Sequence, residues 1–290
     1  MSAPAAPFPS LSRPGLGAEV RALWAVMYRE WLLFVRYPSW IVAQFVWPVL
    51  FPAGYILLAR ALAGPDGGSR DLFAGATGTG DYTGYIVVGT TVWMWQNISL
   101  WHIGMTLRGE QLRGTLETNW LTPARRIWFL LGSGILQGVL LGATVVLSAL
   151  EFGLVFGVRF AGSPWLALLV FLAATPSVYG LGLAFASVVI AAKEANAFVF
   201  LVRGLVMVFC GITFPLSLLP GWMQPVAAWL PPTYIIRAAR AAALQHASLA
   251  QLRPDLTALL LFGLFWVAAG LGLFAWMDAR ARRTGSIGHY

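Results

Sequence analysis

The sequence predicts an all-α polytopic membrane protein, with six transmembrane helices and an N-terminal helix lying along one membrane face. Three observations carry this. Of the 290 residues, 59% are hydrophobic and only 10% charged, with a mean hydropathy of +0.74, whereas soluble domains carry about 25% charged and about 45–50% apolar residues. The apolar residues gather in runs of about 20, the length that crosses ~30 Å of hydrocarbon at ~1.5 Å per residue. The basic residues, 18 Arg and the single Lys193 against 11 acidic residues, lie mostly near the ends of those runs. They read as orientation signals, and no basic face is gathered for a nucleic acid.

Residues 1–18 are rich in Pro, Ser and Ala, lack an apolar core of signal-peptide length, and read as a disordered cytoplasmic tail. Over 19–37, Val20, Leu23, Trp24, Met27, Trp31, Phe34 and Val35 recur at helical spacing, with Arg21, Arg29 and Arg36 on another side. An amphipathic helix on the inner leaflet, its arginines near anionic headgroups, fits this better than a cytosolic helix packed on a partner. The six-span domain occupies 38–290. Its first span is Trp40–Ala59, interrupted by Pro48 and Pro52; the second is Tyr85–Leu107 and the third Ile127–Leu150. The fourth, Pro164–Ala192, has no charge and an expected bend at Pro176. The fifth runs from Ala197 to about Phe214 and contains Arg203; the sixth, Leu256–Met277, lies between Asp255 and Asp278. With the N-terminus inside, inner segments hold twelve Arg and Lys residues and outer segments six, so both termini are expected in the cytoplasm.

The chemistry available to such a chain is narrow. A lone Cys210 excludes a disulfide framework and a multi-cysteine metal site. The only lysine sits in Ala-Ala-Lys193-Glu-Ala, so no phosphate-binding Gly-x-x-x-x-Gly-Lys-Ser/Thr loop exists and the chain cannot hydrolyse ATP alone. A metal-dependent lipid-linked transferase needs carboxylate pairs or His clusters; here no Asp-Asp or Asp-x-x-Asp occurs and His102, His246 and His289 are scattered. No metal site is expected. Ion-coupled secondary transport favours buried acids, which the inner parts of the six spans lack.

Two segments stand out. The loop after span two, from Arg108 to Arg126, is polar and helix-permissive up to Gly114, then resumes and stops at Thr122-Pro123. Glu110 and Glu117, seven apart, therefore share one helical face, two turns from each other. Between spans five and six, Pro215, Pro220, Pro225, Pro231 and Pro232 forbid one continuous helix, while Trp222, Trp229 and Tyr234 favour a membrane interface. Pro232 and Thr233 suit the start of a short helix reaching about Gln245. Backbone at that depth must be buried in protein or line a cavity.

Polar and aromatic residues inside spans need an account. Spans one and two carry Gln44, Trp47, Trp93, Gln96 and Asn97, and span five carries Arg203. Two readings are open. The indoles pack the core and the amides bond between helices, or together they wall a path for an amphiphile. Arg203 snorkels to headgroups or faces that path. Glu151 falls near the outer boundary, where a solvated carboxylate is the plainer reading. Gly134, Gly138 and Gly142 form a small-residue ridge suited to close packing inside the bundle.

The run Glu110-x-x-Arg113-Gly114-Thr115-Leu116-Glu117 followed by Thr122-Pro123 resembles the first cytoplasmic loop of type-2 ABC exporter permeases, above all their daunorubicin-resistance-like branch. The segment from Phe214 through Pro215, Pro220, Trp222, Trp229, Pro231 and Tyr234 to Arg237 is similar to the same family's re-entrant outer segment. The resemblance implies that residues 108–126 form a coupling helix docked on an ATP-binding subunit, and that two short helices dip into the outer leaflet. It also implies two permease chains, identical or related, with two ATPases that bind the ATP and Mg; this chain itself holds no cofactor. The expected setting is a bacterial inner membrane and membrane lipid, and the expected activity is export of an amphiphilic, drug-like or lipid-like substrate. A polysaccharide or glycolipid exporter of the same superfamily is the alternative, and a six-span secondary transporter follows at a distance.

Overall fold

A computed structural model describes residues 15–63, 68–115, 118, 126–192 and 196–284. Among them there is no strand. The N-terminal helix α1 (Leu16–Arg36) is followed after one residue by α2 (Pro38–Ala63), then by α3 (Gly68–Thr77) and α4 (Tyr82–Leu112). Two long helices, α5 (Arg126–Phe156) and α6 (Pro164–Ala192), lead to the shorter α7 (Asn196–Phe209). A 3-10 turn at Leu216–Leu218, α8 (Met223–Ala228) and α9 (Pro231–Leu244) precede the final helix α10 (Leu249–Thr284).

Four helices are long and apolar enough to cross a membrane: α2, α5, α6 and α10. The expected second and fifth spans fall on α4 and α7. At 31 residues α4 is long, but Thr90, Gln96, Ser99 and Glu110 lower its hydropathy; all four are buried. The 14 residues of α7 cover only ~21 Å. Pro48 and Pro52 were expected to interrupt span one, yet α2 runs as one helix through both. Each proline removes a single backbone donor, and the rest of a 26-residue helix outlasts the loss. Likewise α6 is one helix through Pro176.

The core is built around α6. It packs along α10, and the closest approach is set by glycines: a Cβ on Gly180 falls 2.5 Å from the Trp266 carbonyl carbon, and one on Gly270 falls 2.6 Å from the Gly180 oxygen. Small residues let two backbones come this near, where dispersion contacts hold apolar helices together. The ridge on α5 also meets α6, through an aromatic. Tyr179 lies in its groove and donates to the Gly134 carbonyl at 3.0 Å. On the other side α4 contacts α6 through Trp95, Ala174 and Val178.

Helix α4 fixes the ends of the molecule. Asp81 caps it, its Oδ1 accepting from the Gly84 amide at 2.8 Å. Near that end Tyr85 meets Arg240 of α9, and at the other end Glu110 meets Arg29 of α1. Those points are ~38 Å apart along the axis, so α9 and α1 occupy opposite ends of the bundle. At its own end α1 also lies across α5 at Gly132, where a Cβ would come 2.9 Å from the Val26 Cβ.

Candidate functional site

A cavity of about 710 Å³ opens between α1, α2, α4 and α5. Its floor is a charged cluster at the α1 end. Glu110, the last acid of α4, is only 3% exposed. Its Oε1 accepts from Arg113 Nη2 at 2.6 Å and lies 3.4 Å from Arg29 Nη2; its Oε2 accepts from the Thr115 hydroxyl at 2.6 Å. Arg29 also pairs with Glu30 at 2.6 Å and lies over the Phe129 ring at 4.7 Å. Burial alone raises the Glu110 carboxyl, but the Thr115 hydrogen bond and the charges of Arg29 and Arg113 outweigh it and hold it below the ordinary carboxylate value.

The chain turns sharply beneath this cluster. Helix α4 ends at Leu112, and Gly114 has φ 70°, a left-handed conformation open to glycine. The Thr115 amide then donates back to the Glu110 carbonyl at 3.0 Å. The helix that carries Glu110 is therefore interrupted at Gly114, before Glu117. Arg113, Gly114 and Thr115 lie at the turn, whereas Leu116, Glu117, Thr122 and Pro123 fall outside the described residues.

Above the floor the walls become aromatic. Trp40 and Trp47 of α2 and Trp95 and Trp101 of α4 line the cavity, with Gln44, Gln137 and Thr144 among them. Gln44 Nε2 donates to the Thr144 hydroxyl, joining α2 to α5. Of the path residues expected from the sequence, Gln44 and Trp47 line this cavity. Trp93, Gln96, Asn97 and Arg203 do not. Trp93 is two residues from Trp95, ~200° around the helix, so it faces the other way. There Phe51 stacks on it at 4.7 Å and the Arg203 guanidinium lies 5.1 Å from its ring. Helices α2, α4 and α7 do meet, then, but in a packed stack of Phe51, Trp93 and Arg203. The Asn97 amide donates to the Trp93 carbonyl of its own helix at 2.8 Å, and Gln96 is 2% exposed with an unpartnered Oε1.

At the opposite end, the proline-rich segment is a pair of short helices held by polar clasps. The Thr233 hydroxyl donates to the Ala227 carbonyl at 2.7 Å, and Tyr234 to Ala228 at 2.9 Å. Pro231 starts α9 with Pro232 beside it, where a helix lacks amide partners in any case. Trp222 and Trp229 are exposed, while Pro215 and Pro220 flank the 3-10 turn. Arg237 forms a fork on Asp255 of α10, with Nε 3.0 and 3.1 Å from its two oxygens. The sequence reading passed over Arg240. The residue is 7% exposed, and its guanidinium donates to the carbonyls of Tyr85 at 3.2 Å, Gly211 at 2.8 Å and Ile212 at 2.6 Å, stacked 3.3 Å above the Tyr85 ring. The Ala-rich run around it gave no sign of burial; only its three-residue offset from Arg237, on a helix with one buried side, hints at it. Glu151, read as solvated, has its Oε2 buried with no hydrogen-bond partner.

No cluster of three or more His, Cys, Asp or Glu side chains that could hold a metal ion occurs among the described residues. The arrangement offers binding and movement: a walled groove, a charged floor, and a turn that joins the floor to the next loop. Residues 40–271 match the family described as ABC-2 family transporter protein, well over half of the chain. None of the curated proteins matches it. Helical, membrane-spanning and matched over most of its length, the chain belongs to the ABC-2 family of transporter proteins.

Proposed function

We propose that this chain is the six-span permease subunit of an ATP-driven exporter, carrying an amphiphilic or hydrophobic compound, drug-like or lipid-like, out of a bacterial cell across its inner membrane. The observation that carries the reading is the groove: about 710 Å³, aromatic in its walls and charged only at its floor, in a chain of a transporter family. In this reading α4 and α7 complete the six spans. The polar residues of α4 face protein and so cost little in lipid, while α7 is continued by the dipping segment Pro215–Gln245. Both termini lie in the cytoplasm.

Power comes from a separate ATP-binding subunit, which binds the ATP and Mg. Two such subunits serve two permease chains, and the Phe51–Trp93–Arg203 side of the bundle faces the second chain. The loop from Arg108 to Arg126, with Arg113, Gly114, Thr115, Leu116, Glu117, Thr122 and Pro123, is the contact. Thr115 supports this role, because both its amide and its hydroxyl bond to Glu110: a pull on the loop reaches the groove floor through one residue.

The test is capture of the ATP-binding subunit and stimulation of its ATPase by the purified permease. Glu117→Lys is expected to abolish stimulation while leaving the permease inserted and monodisperse. Glu110→Lys is a poorer probe, since it also breaks the Arg29 and Arg113 pairs inside the bundle. Unchanged capture and stimulation with Glu117→Lys and Arg113→Glu combined would show the contact to lie elsewhere.

A further inference from the structure

The two linings of the groove differ in kind. On α5 the lining carries four polar residues, Ser133, Gln137, Thr144 and Ser148, among Leu136, Leu140, Leu141 and Val145; the polar spacings of four, seven and four keep one helical face. That stripe covers ~22 Å of axis in a helix otherwise apolar enough to cross a membrane. Facing it, four indoles, of Trp40, Trp47, Trp95 and Trp101, stand among mostly apolar residues with Gln44, Thr91, His102 and Thr106, and Trp40 and Trp47 are still 67% and 52% exposed. Gln137 is half-buried, ~16 Å along α5 from Arg126, and its amide has no hydrogen-bond partner among the described residues, unlike Gln44, which reaches Thr144. An amide at membrane depth without a partner is costly, and the groove is where a partner can come from. The charged residues of the lining, Arg29 and Arg113 against Glu30 and Glu110, are two and two and bonded among themselves. No net charge is offered to an ionic headgroup.

We propose that the groove binds a neutral hydroxylated amphiphile, of the alkyl glycoside kind, laid lengthwise with its hydroxyls on the α5 stripe and its apolar face on the indoles. Gln137 is the residue that selects for hydroxyls. The inference rests on the groove being the export path, and it narrows the substrate class of that path.

The test uses the intact permease alone in phosphatidylcholine nanodiscs, with two photoreactive probes of the same chain length, dodecyl maltoside and dodecyl trimethylammonium. The maltoside is expected to label peptides of α2 and α5, and unlabelled maltoside to compete about tenfold better than the ammonium compound, one good hydrogen bond's worth of discrimination. Gln137→Leu and the milder Thr144→Val, each checked for monodispersity, are expected to erase most of that preference and leave chain-driven labelling in place. Equal competition by the two probes, or a preference unmoved in both variants, overturns hydroxyl selection while the exporter reading stands. Absence of groove labelling by either probe overturns the binding site. The exporter reading fails separately, if the full complex with its ATPase extrudes no amphiphile at all in the presence of ATP.

Discussion

Single side chains tie distant parts of this molecule together, and two of them make clear predictions. Arg240 satisfies three backbone carbonyls on α4 and on the turn after α7. The approach is close enough that a Cβ on Gly89 would come 2.1 Å from the Ile212 oxygen and 2.4 Å from Arg240 Nη2. Arg240→Leu strands those carbonyls in a buried place and is expected to cost about 3–5 kcal/mol, read as a lowered unfolding temperature in detergent. Arg240→Lys recovers little, because an ammonium lacks the planar fork. Glu110 makes a pH prediction. Its folded value is lowered from 4.5, so the network stabilises the fold above that value and is lost as pH falls through the lowered one. Release of α1 from α4 is therefore expected only in acid, seen as faster hydrogen exchange in α1, and Glu110→Gln is expected to show fast exchange already at neutral pH. At this scale the sequence was half legible. Arg237 and the Gly114 turn stood out by motif, whereas Arg240 and Gln137 did not, since nothing local marks which polar residue of an apolar helix finds a partner.

The helices were more legible than their contacts. Runs of apolar residues gave α2, α5, α6 and α10 with ends displaced by a few residues, and Pro231–Leu244 is close to the short helix expected from Pro232 to Gln245. Two features were not. The prolines of α2 suggested a break where there is a continuous helix, and α3 lies in a stretch where composition predicted nothing. Packing depends on which faces meet, and one sequence records that only weakly. The α6–α10 crossing is such a case. Gly180→Leu is expected to force those backbones apart at a cost of about 1–3 kcal/mol or more, measured as lost thermal stability, while Gly272→Leu, with open space around its Cβ position, is expected to be tolerated. The proposed dip of residues 215–245 has its own test. Cysteines at Trp222 and Gln245 in a Cys210→Ala background are both expected to react with an impermeant reagent from outside; reaction of either only from inside adds a crossing and ends the six-span account.

Over the whole molecule, one groove joins the elements that matter. Its floor touches the turn into the proposed ATPase loop, its indoles stand along α2 and α4, and α1 covers its side. Of the path residues named from the sequence, Gln44 and Trp47 lie on its lining, whereas Trp93, Gln96, Asn97 and Arg203 do not. The twist of α4 carries Trp93 to the other face, where Arg203 lies against it. A span list cannot say which side of a helix is inward when polar residues occur on both. The most direct measurement is ATP-dependent extrusion of an amphiphilic dye by the permease with its ATP-binding subunit in proteoliposomes, with Gln137→Cys in a Cys210→Ala background before and after reaction with a bulky maleimide. The account predicts extrusion that requires ATP and the ATPase, and its loss once the maleimide fills the groove, with subunit capture intact. Undiminished ATP-driven extrusion by the fully modified protein would contradict it.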